Sequence, residues 1–263
     1  MILVKKLLFA PLFLITFALL ISQLSPIFKS SDFIFSLSIN NLFQLIIISI
    51  LLSLSSFLFI IFATLSFDLR LILPVNLLIS VIPMFFLDQA IGVVLAVAVF
   101  ISLLVSYLSL ENTLKTYLNF QPTILFGPSF RRLSSFLILV ISITYFLASS
   151  SIIAQNGFQI PDSIIDTTLK FTPQSETTTK IPQELVDNLI KQTVKDQIQS
   201  FIKPYLNFIP AILGLLLFVT FQSLTSIINL LIYPLLWITF NILEKTGYVK
   251  FTTEMRPVKK MVI

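Results

Sequence analysis

The chain has 263 residues, of which 56% are hydrophobic and 11% are charged, and its formal net charge is +5. A soluble protein with a mean hydropathy of +1.00 would be unable to cover its own apolar surface. The chain contains no cysteine and no histidine, which excludes disulfides, thiolate nucleophiles, zinc–thiolate sites and His-ligated haem within it. These features predict a multi-pass membrane protein.

The few glycines form no phosphate-binding loop, because neither G-x-x-x-x-G-K nor G-x-G-x-x-G occurs in the sequence. We therefore expect no cofactor, no metal and no catalytic site. The net positive charge would suit nucleic acid, but the distribution of lysine and arginine around the apolar stretches explains it better. The expected partners are the lipid bilayer and other membrane or envelope proteins, with no nucleic acid.

Six stretches are apolar enough to cross a hydrocarbon core of about 30 Å as helices of about 20 residues. They lie near residues 7–27, 42–66, 70–87, 89–110, 134–154 and 209–233. The third stretch is short and contains Pro74 and Pro83, so we expect it to be kinked or tilted. The predicted fold is an all-α polytopic bundle of about six transmembrane helices with a small helical extracytoplasmic segment.

The last apolar stretch is longer than one span requires. Residues 208–243 would form a helix of about 55 Å, either as one span with an extension or as two short spans folded at 222–229. Two spans would place the basic tail, 244–263, outside. We therefore favour one span that ends near Pro234 and continues through 235–243 as a cytoplasmic helical extension.

Lysine and arginine indicate the orientation, because cytoplasmic loops are enriched in both. The first five spans lie within residues 1–154. If the N-terminus is cytoplasmic, the loop 111–134 and the tail are cytoplasmic as well. Pro122 and the Gly127-Pro128 pair should break that loop into short interfacial helices. The cytoplasmic segments then hold Lys5, Lys6, Arg70, Lys115, Arg131, Arg132, Lys245, Lys250, Arg256, Lys259 and Lys260.

The outer segment, 155–207, contains a predicted amphipathic helix over 182–203. Its apolar stripe consists of Val186, Ile190, Val194, Ile198 and Ile202. This stripe is a candidate partner face, although it would equally suit a cap over the bundle or a contact with the membrane. Within the monomer, the expected cover is the apolar set Ile164, Ile165 and Leu169.

Polar side chains occur inside the predicted spans. Gln222, Ser226 and Asn229 share a face of the last helix, and Asn76 and Ser80 lie one turn apart on the third. Such residues usually form hydrogen bonds to neighbouring helices, and the alternative is that they line a pathway for a solute. No acidic or basic residue lies in the interior of a predicted span, which argues against an ion-coupled carrier.

These observations favour a non-enzymatic scaffold or accessory subunit of an envelope or membrane complex, located in the cell membrane with both termini cytoplasmic. The alternative is a permease-type transporter subunit for a hydrophobic or lipid-like solute, because such a solute requires no charged group inside the spans.

The orientation predicts where fused reporters will be found. Reporters placed after Lys5, within 111–132 and after Lys260 should all report the cytoplasm, and one placed at Thr178 should report the opposite side. Paired reporter enzymes that are active on only one side of the membrane would measure this. An external reading after Lys260 would require an odd number of spans and would contradict the orientation.

Overall fold

The computed structural model describes residues 6–30, 33, 39–117, 120–157 and 203–249. All regular secondary structure in this part of the chain is helical. The elements are α1 (Ala10–Phe28), α2 (Ile39–Ser66), α3 (Leu69–Val81), α4 (Pro83–Phe86), α5 (Gln89–Thr116), α6 (Pro122–Asn156), a 3₁₀ turn (Lys203–Phe208) and α7 (Ile209–Lys245).

Six helical segments of the described chain are long and apolar enough to cross a membrane. The third of them consists of α3 and α4 together, the sixth includes the 3₁₀ turn before α7, and each of the others is a single long helix. This confirms the prediction of an all-α polytopic bundle with six spans. The outer segment from 158 to 202 and the tail from 250 onward lie outside the described residues, so the predictions made for them are not tested here.

Proline interrupts the third span as expected. α3 ends before Ile82, and α4 begins at Pro83, which has no backbone N–H to continue the helical hydrogen bonds. A tight turn through Asp88 then leads into α5. Gly92 allows the two arms of this hairpin to approach closely, because a Cβ atom there would lie 3.1 Å from the Cα atom of Met84.

The second span, α2, lies at the centre of the bundle and contacts each of the other five spans. Of its most apolar 18 residues, 72% are buried inside the protein, compared with 28% for α7. Every side chain from 55 to 63 is buried, so this part of α2 is covered on all sides. A helix that is apolar all round its circumference is typical of such a central position.

The prediction that residues 111–134 form a loop of short interfacial helices is wrong. α5 continues to Thr116 and α6 begins at Pro122, so most of the segment belongs to two long helices. The Gly127-Pro128 pair does not break α6, because α7 packs against it there: a Cβ atom on Gly127 would lie 3.1 Å from Cε1 of Tyr233. Proline is tolerated inside membrane helices when a neighbouring helix supports the chain.

The last apolar stretch forms one continuous helix, α7, of 37 residues. One continuous helix is what the prediction of a single span with an extension requires, whereas two short spans would need a turn at 222–229 that this helix does not contain. The helix does not end at Pro234 but continues to Lys245, where Gly247 follows with a φ of +69°. At about 1.5 Å per residue α7 is about 55 Å long, well beyond the thickness of the hydrocarbon core.

The contact between α6 and α7 predicts the effect of filling Gly214. A Cβ atom at this position would lie 3.1 Å from Cβ of Phe146 and 3.2 Å from the carbonyl oxygen of Ser142. We expect Gly214→Val to lower the free energy of unfolding by about 1–3 kcal/mol, because the two helices must separate. Thermal unfolding in detergent, followed by light scattering, measures this.

The matched control is Ala211→Val, which adds bulk to an exposed position one turn earlier on α7. This variant should unfold at nearly the same temperature as the unmodified protein. Equal destabilisation by the two substitutions would contradict a close contact at Gly214.

Candidate functional site

A hydrogen bond in the middle of the bundle joins the central helix to the last one. The hydroxyl of Ser53 on α2 donates to Oδ1 of Asn229 on α7 at 3.1 Å, and both residues are buried. Such bonds between membrane helices stabilise by about 0.6–2 kcal/mol. Asn229 therefore helps to hold α7 against the core of the bundle.

The other two polar residues predicted on α7 have different surroundings. Nε2 of Gln222 donates to the hydroxyl of Ser135 on α6 at 3.3 Å. Ser226 is exposed and donates to the backbone oxygen of Gln222 at 2.6 Å. Thr225 is buried instead, because consecutive residues of a helix are about 100° apart and Ser226 falls outside the packed face.

The two polar residues of the third span are both buried. The hydroxyl of Ser80 donates to the backbone oxygen of Leu77 at 2.8 Å, so its hydrogen bond stays within α3. Asn76 is fully buried, and neither atom of its amide group has a hydrogen-bond partner among the described residues. Leaving such a group unpaired in an apolar interior costs about 1–3 kcal/mol.

Further buried polar atoms have no partner within the described ranges. They belong to Ser55, Ser56, Ser106, Ser142, Ser149, Gln222 and Thr225. Most are single hydroxyl groups, which are small enough to let helices pack closely. The predicted partner face, Val186, Ile190, Val194, Ile198 and Ile202, lies outside the described residues.

The second polar feature is a groove on the surface, between the first part of α6 and α7, with a volume of about 800 Å³. Two adjacent arginines lie in it. Nη2 of Arg131 donates to the hydroxyl of Tyr233 on α7 at 3.0 Å, and Nη1 of Arg132 donates to the hydroxyl of Ser109 on α5. The groove is lined by Thr123, Ile124, Gly127, Pro128, Arg131, Arg132, Ser135 and Tyr233. We call it the arginine groove.

Charged side chains of the described ranges gather at the end of the bundle that holds the arginine groove. Ser66 donates to the backbone oxygen of Lys6, and Arg132 donates to Ser109, so the end of α2 lies beside the start of α1 and the last turns of α5 lie beside the first turns of α6. Consecutive spans run in opposite directions, so these ends lie on one side of the bundle. That end carries Lys6, Asp68, Arg70, Glu111, Lys115, Arg131, Arg132, Glu244 and Lys245. Lys29, Asp88 and Lys203 lie at the helix ends that face the other side.

Sequence reasoning identified the arginines as basic residues at a membrane surface but did not join them to Tyr233. The residues are about 100 positions apart in the chain, and only the antiparallel packing of α6 and α7 brings them together. A usable signal was present: Tyr233 is a polar aromatic residue near the expected end of the last span, where such residues favour the interface.

No protein-family model matches this chain, and neither the curated proteins nor the solved structures include a significant match.

The contrast between Asn229 and Asn76 predicts opposite effects of the same substitution. Asn229→Leu removes the acceptor of the Ser53 hydroxyl, and we expect a loss of about 0.6–2 kcal/mol in the free energy of unfolding. Asn76→Leu removes an unpaired amide and should be neutral or stabilising. Unfolding in mild detergent measures both variants, and equal destabilisation would contradict this account.

Proposed function

We propose that this chain is a non-enzymatic scaffold or accessory subunit of a membrane complex. It would lie in the cell membrane with both termini in the cytoplasm and present the extension of α7 to a partner protein. The observation that carries the proposal is the length of the exposed apolar face of α7 compared with the thickness of a bilayer.

The exposed apolar residues of α7 extend over 30 positions, or about 45 Å along the helix axis. They are Ile212, Leu215, Leu216, Val219, Ile227, Leu230, Leu231, Leu235, Trp237, Ile238 and Ile242. A hydrocarbon core of about 30 Å covers only about 32 Å of a helix tilted by the usual 20°. Lipid alone therefore leaves part of this face uncovered.

The uncovered part is the end that follows Tyr233. Arg131 bonds to Tyr233, and a charged guanidinium favours the headgroup layer over hydrocarbon. Residues 234–245 then extend about 18 Å further, beyond the lipid tails. An apolar surface outside the hydrocarbon is typical of a protein contact.

An aromatic cluster holds this extension in a fixed position. Phe240 is buried and stacks on Phe126 of α6, with ring centroids 4.8 Å apart, and Phe120 lies edge-on to both rings. Just after the helix, the N–H groups of Tyr248 and Val249 donate to the backbone oxygen of Leu243. Partial burial of Tyr248 raises the pKa of its hydroxyl group. These contacts pack the inner side of the extension against α6 and leave its outer side exposed.

The charge distribution supports the proposed orientation. The end with the arginine groove has an excess of basic residues in the described ranges, and basic residues favour the cytoplasmic side of a membrane. The α7 extension would therefore face the cytoplasm.

A second candidate is a permease-type subunit for a hydrophobic or lipid-like solute. The observation that favours it is the set of unpartnered buried polar atoms, headed by the amide of Asn76. Polar groups inside a bundle are the ones that would contact a solute in passage. The scaffold remains the preferred proposal because aromatic and branched side chains fill the interior around α2.

Photocrosslinking tests the scaffold proposal. With benzoylphenylalanine at position 238 or 242, in cells that express the chain at its normal level, we expect a discrete protein adduct that mass spectrometry identifies. Matched controls replace Leu78 or Ile143, which are exposed in the middle of spans, and these should attach to lipid. Absence of a protein adduct at both extension positions, with lipid attached at the controls, would contradict the proposal.

A further inference from the structure

We propose that the arginine groove binds the phosphate of an anionic glycerophospholipid, whose acyl chains run along the outer surface of α6 and α7. This inference concerns the groove and not the extension of α7, and it holds whether or not the chain is a scaffold. It rests on the fixed positions of two guanidinium groups, their lack of acidic partners and their depth in the membrane.

Hydrogen bonds to uncharged hydroxyl groups orient the two exposed guanidinium groups. The hydroxyls of Tyr233 and Ser109 accept one N–H each, from Arg131 and Arg132 respectively. A guanidinium has five N–H donors, so most of the donors on each arginine remain for another acceptor. Arg131 bridges α6 to α7 and Arg132 bridges α6 to α5, which orients both side chains before any anion arrives.

The positive charge of the pair is not compensated within the described part of the chain. The ion pair found there joins Lys115 to Glu111 at 2.6 Å, and neither arginine contacts a described carboxylate. Two adjacent guanidiniums at the surface of a membrane protein attract anions strongly. Phosphate suits them because its oxygens accept paired N–H bonds from the planar guanidinium fork.

The depth of the groove favours a lipid. Arg132 lies 24 residues before the end of α6, or about 36 Å along the helix, which places it just beyond a hydrocarbon core of about 30 Å. This is the layer in which phospholipid phosphates lie. On the side of the groove nearer the bilayer centre, Leu139 lies two turns after Arg131 on the same face of α6, and its exposed side chain provides an apolar surface for acyl chains.

The lining of the groove suits the glycerol part of such a lipid. Thr123 and Ser135 add hydroxyl groups above and below the arginines, and Ile124 and Pro128 add apolar contact. Gly127 allows the ring of Tyr233 to lie against α6, so a larger residue there would displace the ring that positions Arg131. The recognised chemistry is a phosphate ester with a net negative charge and a hydrophobic tail.

Native mass spectrometry of the full chain in dodecylmaltoside tests the proposal. The probe is a dioleoyl phosphatidylglycerol, compared with the phosphatidylcholine of the same chains and with glycerol 1-phosphate as a soluble phosphate. We expect phosphatidylglycerol to bind at least about tenfold more tightly than either of the others. Equal binding of phosphatidylcholine, or equally tight binding of glycerol 1-phosphate, would overturn the assignment of an anionic lipid.

The variants locate the site. The double variant Arg131→Gln with Arg132→Gln should lose at least about tenfold in affinity for phosphatidylglycerol. Its control, Arg70→Gln with Lys245→Gln, removes the same charge from the same end of the bundle, but these residues do not line the groove. A control that loses as much affinity as the arginine variant would show attraction by net charge alone and overturn the site.

A milder substitution keeps the proposal testable if the double variant fails to fold. Tyr233→Phe removes the hydroxyl that holds Arg131 but keeps the ring that packs against Gly127 and Phe130. We expect it to weaken phosphatidylglycerol binding several-fold while the unfolding temperature in plain detergent changes little. Unchanged affinity in this variant, with unchanged selectivity among the three probes, would overturn the role of the fixed guanidinium.

Discussion

The position of α2 at the centre of the bundle is the packing constraint on which the rest of the structure depends. Each of the other five spans contacts it, and its side chains from 55 to 63 are buried on every side. Lipid tails are as apolar as this core, so the hydrophobic effect gives little reason for the helices to associate. Close packing between small and aromatic side chains has to hold them together, as where Phe13 meets Phe59 at 5.4 Å.

The last helix is held to this core at three heights by three kinds of interaction. Asn229 accepts a hydrogen bond from α2 inside the bundle, Tyr233 accepts one from Arg131 a turn later, and Phe240 stacks on α6 near the end of α7. The first interaction joins two buried polar side chains, the second joins a guanidinium to a phenol hydroxyl near the surface, and the third is aromatic stacking. Together they explain how a helix with so small a buried fraction keeps a defined position.

Both proposals place function at the charged end of the bundle and not in its interior. The extension of α7 and the arginine groove are neighbours there, joined through Tyr233, which precedes the extension and holds Arg131. A lipid phosphate in the groove would neutralise the two arginines and leave the apolar outer side of the extension for a protein. The interior, in contrast, provides isolated polar atoms among closely packed apolar side chains.

Much of the fold could be predicted from the sequence, because the bilayer restricts which backbone conformations can cross it. Backbone groups in hydrocarbon must bond within their own segment, so each apolar stretch of about 20 residues becomes a helix. The prolines predicted a kink in the third span, and the position of the basic tail favoured one long helix at the end of the chain. Local propensity failed at Gly127-Pro128, where packing against Tyr233 supports a continuous helix.

The sequence by itself determined the six spans, the excess of basic residues in alternate loops and the polar residues inside the helices. Only the tertiary structure decided which of these residues meet. In the structure Asn229 bonds to Ser53, whereas the amide of Asn76 has no partner among the described residues. Thr225 is buried on α7, and Ser226 is exposed. Periodicity gives the direction of a side chain around its own helix, whereas the partner depends on how helices distant in sequence pack, which no local pattern specifies.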